Sequence, residues 1–291
     1  YTCSLHMSTK IKENIPNHYQ INAKMLSFAK PLVMAIVNLT PDSFYDGGKY
    51  SDVSDVLRDA EEKIKQGADI IDIGAASSRP NAKEIDEKEE WTRLEPVLKE
   101  LRKKFPQIFI SVDTYRSDIA KKAAELGADI INDISGGNLD AKMFETIAKL
   151  DVAYILMHMQ GTPQTMQQNP EYGDVVFEVK HELEQKVNSL TELNFKNIIL
   201  DVGFGFGKTT EHNYQLLKQL PQFSELGFPV LAGVSRKSMI NKVIHTNPVT
   251  ALNGTTVLNT IAVLNGASIL RVHDVTEAKQ AIELVEFYKG V

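Results

Sequence analysis

An α/β chain closed into a single (β/α)8 TIM barrel is the fold that three observations in this 291-residue sequence predict. In three places, QGADIIDIG from Gln66, LGADIINDI from Leu126 and NGASILRVH from Asn265, a glycine ends a helix-like segment and a short aliphatic run follows at once. A helix that ends on a left-handed glycine and feeds a buried strand reads this way. The first two seams lie two steps of ~30 residues apart, the length of a βαβ unit. Finally, continuous apolar runs alternate with amphipathic segments, which predicts a parallel sheet covered on its faces.

In chain order, the first strand is expected at 32–38, LVMAIVN, apolar up to its closing amide. A helix at 53–66 follows, with apolar residues at helical spacing. The strand at 69–74 precedes a helix at 87–104, and the strand at 108–114 precedes one at 118–126. Further strands are expected at 130–134 and 153–158, then a helix at 175–193, then strands at 197–202, 229–234 and 269–273. Eight such units suit a closed barrel of about 250 residues better than an open doubly wound sheet. No Gly-x-Gly-x-x-Gly opens the first helix to support a dinucleotide site.

Residues 28–291 read as one domain. Residues 1–27 read as an N-terminal leader, mostly polar and without periodicity to Ala23, part of it open to being an expression remnant ahead of Met7 or Met25. The net charge of −6 and pI near 5.7 argue against a nucleic-acid binder that works by bulk charge. The single cysteine, Cys3, excludes a disulfide framework within the chain and suits a reducing compartment. With no secretion signal and no run of 18 apolar residues, a cytoplasmic protein without a membrane partner is expected.

Barrel chemistry is built at the C-terminal ends of the strands. Here those ends offer Asn38, Asp72, Asp113, Asn132, His158, Asp201, the Ser235-Arg236-Lys237 run, and Arg271 with His273. A single polar residue at a strand end is an ordinary wet terminus. A ring of them behind aliphatic runs is different, because burying a polar group without a partner costs roughly 2–7 kcal/mol. Lys237, Arg236, Arg271 and His273 gather at the last two strands, and Arg79 with Ser77 and Ser78 follows strand two. Carboxylates and an amide opposite cations suit a flat, nitrogen-rich heterocycle whose anionic group reaches toward Arg271, His273 and Asn38.

Other chemistries fit less well. LDVGFGFGKTT, at 200–210, ends like a phosphate-gripping loop, but its first glycine, Gly203, stands one residue too close to Gly207-Lys208-Thr209. Ser235, His273 and Asp113 lack the Gly-x-Ser-x-Gly setting of a nucleophilic serine. The histidines are scattered, so magnesium shared with a phosphate substrate fits better than zinc. His158 reads as a satisfied core histidine, Met157 and Met159 as packing, and Lys63, Lys65, Lys103 and Lys104 as solvated faces.

Eight stretches, in order, carry a family likeness: VNLTPDSFYDGG (37–48), SSRP (77–80), SVDT (111–114), INDI (131–134), LMHMQGTPQTMQ (156–167), LDVGFGFGK (200–208), SRKSMI (235–240) and RVHDV (271–275). Together they resemble dihydropteroate synthase, a pterin-binding TIM-barrel family. The resemblance implies a homodimeric transferase of folate biosynthesis and a sulfonamide target. Its substrates would be p-aminobenzoate and 6-hydroxymethyl-7,8-dihydropterin diphosphate, and its metal Mg2+. It implies a pterin site of Asp113, Asn132, Ile134, Met157, Asp201, Gly233 and Lys237. The diphosphate would meet Asn38, Arg79, Arg271 and His273, with Asn38 also on the metal. The p-aminobenzoate would meet Phe44, Ser78, Arg79, Pro80, Phe206, Lys237 and Ser238. Asp113, Lys237, Asp201, Arg271 and His273 would be catalytic.

Three departures stand out. Gly-Ala-Ala-Ser-Ser-Arg-Pro-Asn (74–81) replaces the usual Gly-Gly-x-Ser-Thr-Arg-Pro-Gly, Val202 replaces the proline after the key carboxylate, and AIVNL (35–39) replaces GILNV. Ser78 therefore leaves sulfonamide sensitivity open. The rivals are a pterin-binding methyltransferase-like barrel, which should lack the Ser-Arg-Lys-Ser run and the loop after strand one, and an inactive pterin-binding protein, which turnover would separate.

Overall fold

The computed structural model describes residues 15–39, 53–76, 85–166 and 170–291. Two short strands, β1 (His18–Ile21) and β2 (Lys24–Ser27), form an antiparallel hairpin. Then β3 (Leu32–Asn38), β4 (Ile70–Gly74), β5 (Phe109–Asp113), β6 (Ile130–Asp133), β7 (Ala153–Met157), β8 (Ile198–Asp201), β9 (Val230–Ala232) and β10 (Ile269–Val272) pair in parallel and close on themselves, β10 against β3. Each lies within its expected span, so the chain is a (β/α)8 TIM barrel.

The helices between them are α1 (Val53–Lys65), α2 (Glu87–Lys104), α3 (Ser117–Glu125), α4 (Met143–Ile147), α5 (Val175–Glu192), α6 (Thr210–Lys218), α7 (Pro221–Ser224), α8 (Ser238–Ile244), α9 (Leu252–Leu264) and α10 (Val275–Gly290). Side-chain caps fix several starts. Asp86 accepts from Glu89 N–H before α2, and Asp174 from Val176 and Phe177 N–H before α5. Among the described residues no helix is long and apolar enough to cross a membrane.

Alternation along each strand divides the core in two. Outward residues such as Val33, Ala35, Val37, Ile71, Ile73, Ile110 and Val112 are fully buried beneath the helices, each large aliphatic worth about 1.5–3 kcal/mol. Inward residues near the strand starts, Met34, Ile70, Ile130, Ala153, Ile155, Ile199, Leu231 and Ile269, fill the lower barrel. Tyr19, Ile21 and Leu26 of the hairpin pack into that same cluster. Tyr19 Oη also donates to Ile198 O at 2.6 Å.

The hairpin is the main departure from expectation. It belongs to the barrel's floor although residues 1–27 were expected to be a leader. Its two four-residue strands bury only alternate residues, so no apolar run advertises them.

Candidate active site

The inward parity that fills the floor with aliphatics brings polar side chains to the top. Asp72 is level with Ser111, and one inward step higher Gly74, Asp113 and Asn132 share a level, while Asp201 lies beside Met157. Gly74 is small for a reason: a Cβ there would stand 3.1 Å from Asp113 Cβ.

Arg271 ties this ring together. Its Nε donates to Asp72 Oδ2 at 2.8 Å, and its Nη2 reaches Asp72 Oδ2 at 2.7 Å and Asp113 Oδ2 at 3.0 Å. Asn132 Nδ2 donates to the same Asp72 oxygen at 3.4 Å. Burial pushes the Asp113 carboxyl up to about 7, opposed by Arg271 and reinforced by Asp72, Glu90 and Asp133. Burial likewise raises Asp201, opposed by Lys237 and by the Gly203 N–H that donates to it at 2.8 Å.

The loop after β8 supplies a wall. Gly203, Gly205 and Gly207 all have positive φ. A Cβ on Gly203 would lie 1.9 Å from His158 O and one on Gly207 2.6 Å from Gln160 O, so this close approach needs glycine. Phe206, half-buried on that loop, lies with its ring centroid 4.9 Å from Lys237 Nζ. Lys237 donates to Phe204 O, and burial brings its ammonium down to about 8. Gly233 sits between the two cations, since a Cβ there would be 3.8 Å from both Arg271 Cβ and Lys237 Nζ. Below Phe206, Ile134, Met157, Met159 and Met166 form a small apolar cluster with Tyr115.

Lys208 is not an exposed ligand for phosphate. Its Nζ donates to Phe206 O at 3.0 Å and contacts His158 Nδ1 at 3.0 Å. Burial brings it down to about 7. His158 Nε2 faces Glu182 Oε2 at 3.2 Å, which fixes the tautomer that leaves Nδ1 as acceptor for Lys208. His158 is thus a satisfied buried histidine. Thr209 caps α6 by accepting from His212 N–H at 3.1 Å.

Other expected residues separate. Arg236, grouped by sequence with the site cations, turns away in the left-handed region at φ 57. It pairs with Asp274 through Nε at 2.9 Å and Nη2 at 2.6 Å, and its Nη1 donates to Pro248 O and Val249 O. Ser235 Oγ lies 3.2 Å from His273 Nδ1, but Asp113 is engaged by Arg271, so no triad is assembled. Ser238 opens α8, exposed. Phe44, Ser78, Arg79 and Pro80 lie outside the described residues. Asp72, offered by the strand ends but left out of the site set that the resemblance implied, is the partner of Arg271.

For a metal, Asn38 at the end of β3 is half-buried and neighbours β10, the strand of Arg271. Among the described residues no three His, Cys, Asp or Glu side chains are placed to hold a metal ion together. One amide oxygen suits Mg2+, which keeps most of its waters and takes phosphate oxygens from a substrate.

The pterin binding enzyme family matches residues 34–273. A dihydropteroate synthase of Haemophilus influenzae is 43% identical over 265 residues, covering 90% of this chain and 96% of the relative. A Yersinia pestis dihydropteroate synthase in complex with a sulfonamide drug superposes with a TM-score of 0.90 at 36% identity, covering 94% of this chain and 100% of that one. A Xanthomonas albilineans dihydropteroate synthase with 4-aminobenzoic acid does so at 0.88 and 35%, covering 94% and 99%.

Proposed function

The chain belongs to the pterin-binding enzyme family, among the dihydropteroate synthases, and from that premise we propose how its barrel mouth works as a transferase. It condenses 6-hydroxymethyl-7,8-dihydropterin diphosphate with p-aminobenzoate, giving 7,8-dihydropteroate and pyrophosphate. One observation carries the assignment of parts: Asp113, Asn132 and Asp201 at the ends of β5, β6 and β8 gather with two cations, Arg271 on β10 and Lys237 at the start of α8, which flank Gly233.

The pterin's N–H groups meet Asp113, Asn132 and Asp201, while Lys237 donates to the ring and Ile134 and Met157 line the slot. Arg271 and His273 face the diphosphate. Asn38 would hold Mg2+, which when bound supplies positive charge to the phosphate oxygens. The C–O bond to the diphosphate breaks first, the leaving group keeping the electron pair, and the positive charge spreads into the dihydropterin. Asp113 favours that charge by its own negative one. The neutral aniline nitrogen then forms the C–N bond and gives up its proton. Attack comes second because an aniline is a poor nucleophile. Phe206 walls the amine's side; of the other residues expected there, Ser238 follows Lys237 at the start of α8, and Phe44, Ser78, Arg79 and Pro80 lie outside the described residues. Binding of a 4-aminobenzoate and of a sulfonamide by the Xanthomonas and Yersinia relatives supports this placement.

A homodimer is part of the same proposal. Val257 and Leu264 on α9 and Leu284, Phe287 and Tyr288 on α10 are exposed apolar side chains that a second copy would cover. The test is pyrophosphate release with and without p-aminobenzoate. Release that depends on the amine and yields dihydropteroate supports the proposal, whereas pterin binding without product leaves a binding protein or a methyl-transfer relative.

A further inference from the structure

The ring at the barrel mouth contains one carboxylate that the proposed reaction does not use. Asp72 is 1% exposed and lies one inward step below Asp113, level with Ser111. One of its oxygens, Oδ2, accepts from Arg271 Nε and Asn132 Nδ2 and forms an ion pair with Arg271 Nη2 at 2.7 Å. The other, Oδ1, has no hydrogen-bond partner among the described residues.

We propose that Asp72 is a positioning residue that holds Arg271 and sets the orientation of the Asn132 amide when the pterin diphosphate binds. This rests on the assignment of the site to that substrate.

Two geometric facts support it. Arg271 has two carboxylate anchors, but they are not equivalent. Asp113 stands on the higher level with Asn132, so a heterocycle held by Asp113 competes with the guanidinium for its oxygens. Asp72 lies beneath, where its Oδ2 accepts from Nε and pairs with Nη2 at 2.7 Å, a charge-assisted contact that keeps the guanidinium in place. When Asp113 turns to the ligand, Asp72 still keeps Arg271 aimed at the anionic end. The second fact concerns Asn132. An ionised carboxylate only accepts, so the Asn132 atom facing Asp72 is the NH2 group. That leaves Oδ1 toward the cavity. Asn132 is therefore an acceptor for the ligand, like Asp113 and Asp201, and the site selects an edge rich in N–H donors.

The experiment is steady-state kinetics on Asp72→Asn, which keeps the shape and removes the charge. Its kcat/KM for dihydropterin diphosphate should fall about 10- to 100-fold, the worth of lost charge-assisted hydrogen bonds. KM for p-aminobenzoate should change less than about twofold, because no partner of Asp72 belongs to that subsite. Combined with Arg271→Gln, the effects should be strongly non-additive, as expected for residues acting through one bond. Equal rises of both KM values, additive effects or an unaffected Asp72→Asn would overturn the role of Asp72.

The wild type provides an arm that needs no Asp72 variant. Its Arg271 Nε–H resonance, assigned by its absence in Arg271→Gln, should stay protected from exchange when the pterin substrate saturates the site. Loss of that protection on binding overturns the proposal. Wild-type protein that makes no dihydropteroate would instead refute the assigned reaction, so the two failures are distinguishable.

Discussion

Buried acids stand at opposite ends of this barrel, Asp129 within a polar cluster at the floor and three carboxylates at the mouth, and the two groups differ in how completely they are satisfied. At the floor, Asp129 Oδ2 accepts from Lys24 at 2.7 Å, Arg102 at 2.6 Å and Ile110 N–H at 2.9 Å, while Oδ1 lies 3.3 Å from Asn22 Nδ2. Arg102 also donates to Gly127 O, Pro106 O and Ile108 O, closing the floor around the hairpin. At the mouth, three carboxylates, Asp72, Asp113 and Asp201, face Arg271 and Lys237. Asp72 Oδ1 and Ser111 Oγ remain buried without hydrogen-bond partners among the described residues. The saturated cluster stabilises the fold. The unsaturated one holds unmet hydrogen-bonding capacity for a ligand, which is the usual cost of a site.

Matched substitutions test this contrast most strongly. Asp113→Asn should lower turnover about 100- to 1000-fold, the scale for removing one preorganised charge from a reacting centre. Thermal melting should show no comparable loss, because burial already disfavours the ionised Asp113. Asp129→Asn should do the reverse. It leaves Lys24 and Arg102, 16% and 21% exposed, without their anion, and should cost about 2–4 kcal/mol of stability. Turnover per folded molecule should be unchanged. If Asp129→Asn instead lost turnover while keeping its melting point, the division between the two ends would be wrong.

The same contrast explains what could be read in advance. All eight barrel strands were legible, because a strand buried on both faces is a continuous apolar run, and at three of them a glycine marks where it begins. The floor was not, since Tyr19, Ile21 and Leu26 alternate with exposed or half-exposed residues over only four-residue strands. At the mouth, strand ends named Asp113, Asn132, Asp201 and Arg271 as candidates, but not their pairing. Arg271 and Asp72 are separated by 199 positions and meet only on closure. Nor could the SRK run show that a left-handed backbone turns Arg236 toward Asp274 while Lys237 faces Phe206.

A smaller effect probes the boundary between the two kinds of cluster. Lys208 is buried like a floor residue, yet it fastens the loop of Phe206 at the mouth. Lys208→Met should loosen that wall, raising KM for p-aminobenzoate about 10-fold through one lost charge-assisted hydrogen bond. KM for the pterin diphosphate should move much less. Equal shifts in both would mean that Lys208 supports the whole mouth rather than one wall.

The smallest effect is a pH slope. Lys208 falls from its ordinary 10.5 to about 7 on folding, because burial disfavours its charge. Between those values the unfolded chain binds more protons at this position than the folded one. Stability therefore gains a contribution that rises with pH from about 7 toward 10.5. Lys237, brought down to about 8, adds a similar slope over part of that window, so the measurement is the difference between wild type and Lys208→Met. Denaturant unfolding at several pH values should give a shallower rise in the variant. Parallel curves would mean that Lys208 keeps its charge in the folded state through Asp201 and Glu182, the two acids whose fields oppose its burial. Lys208 would then belong electrostatically with the saturated floor, despite its place beside the mouth.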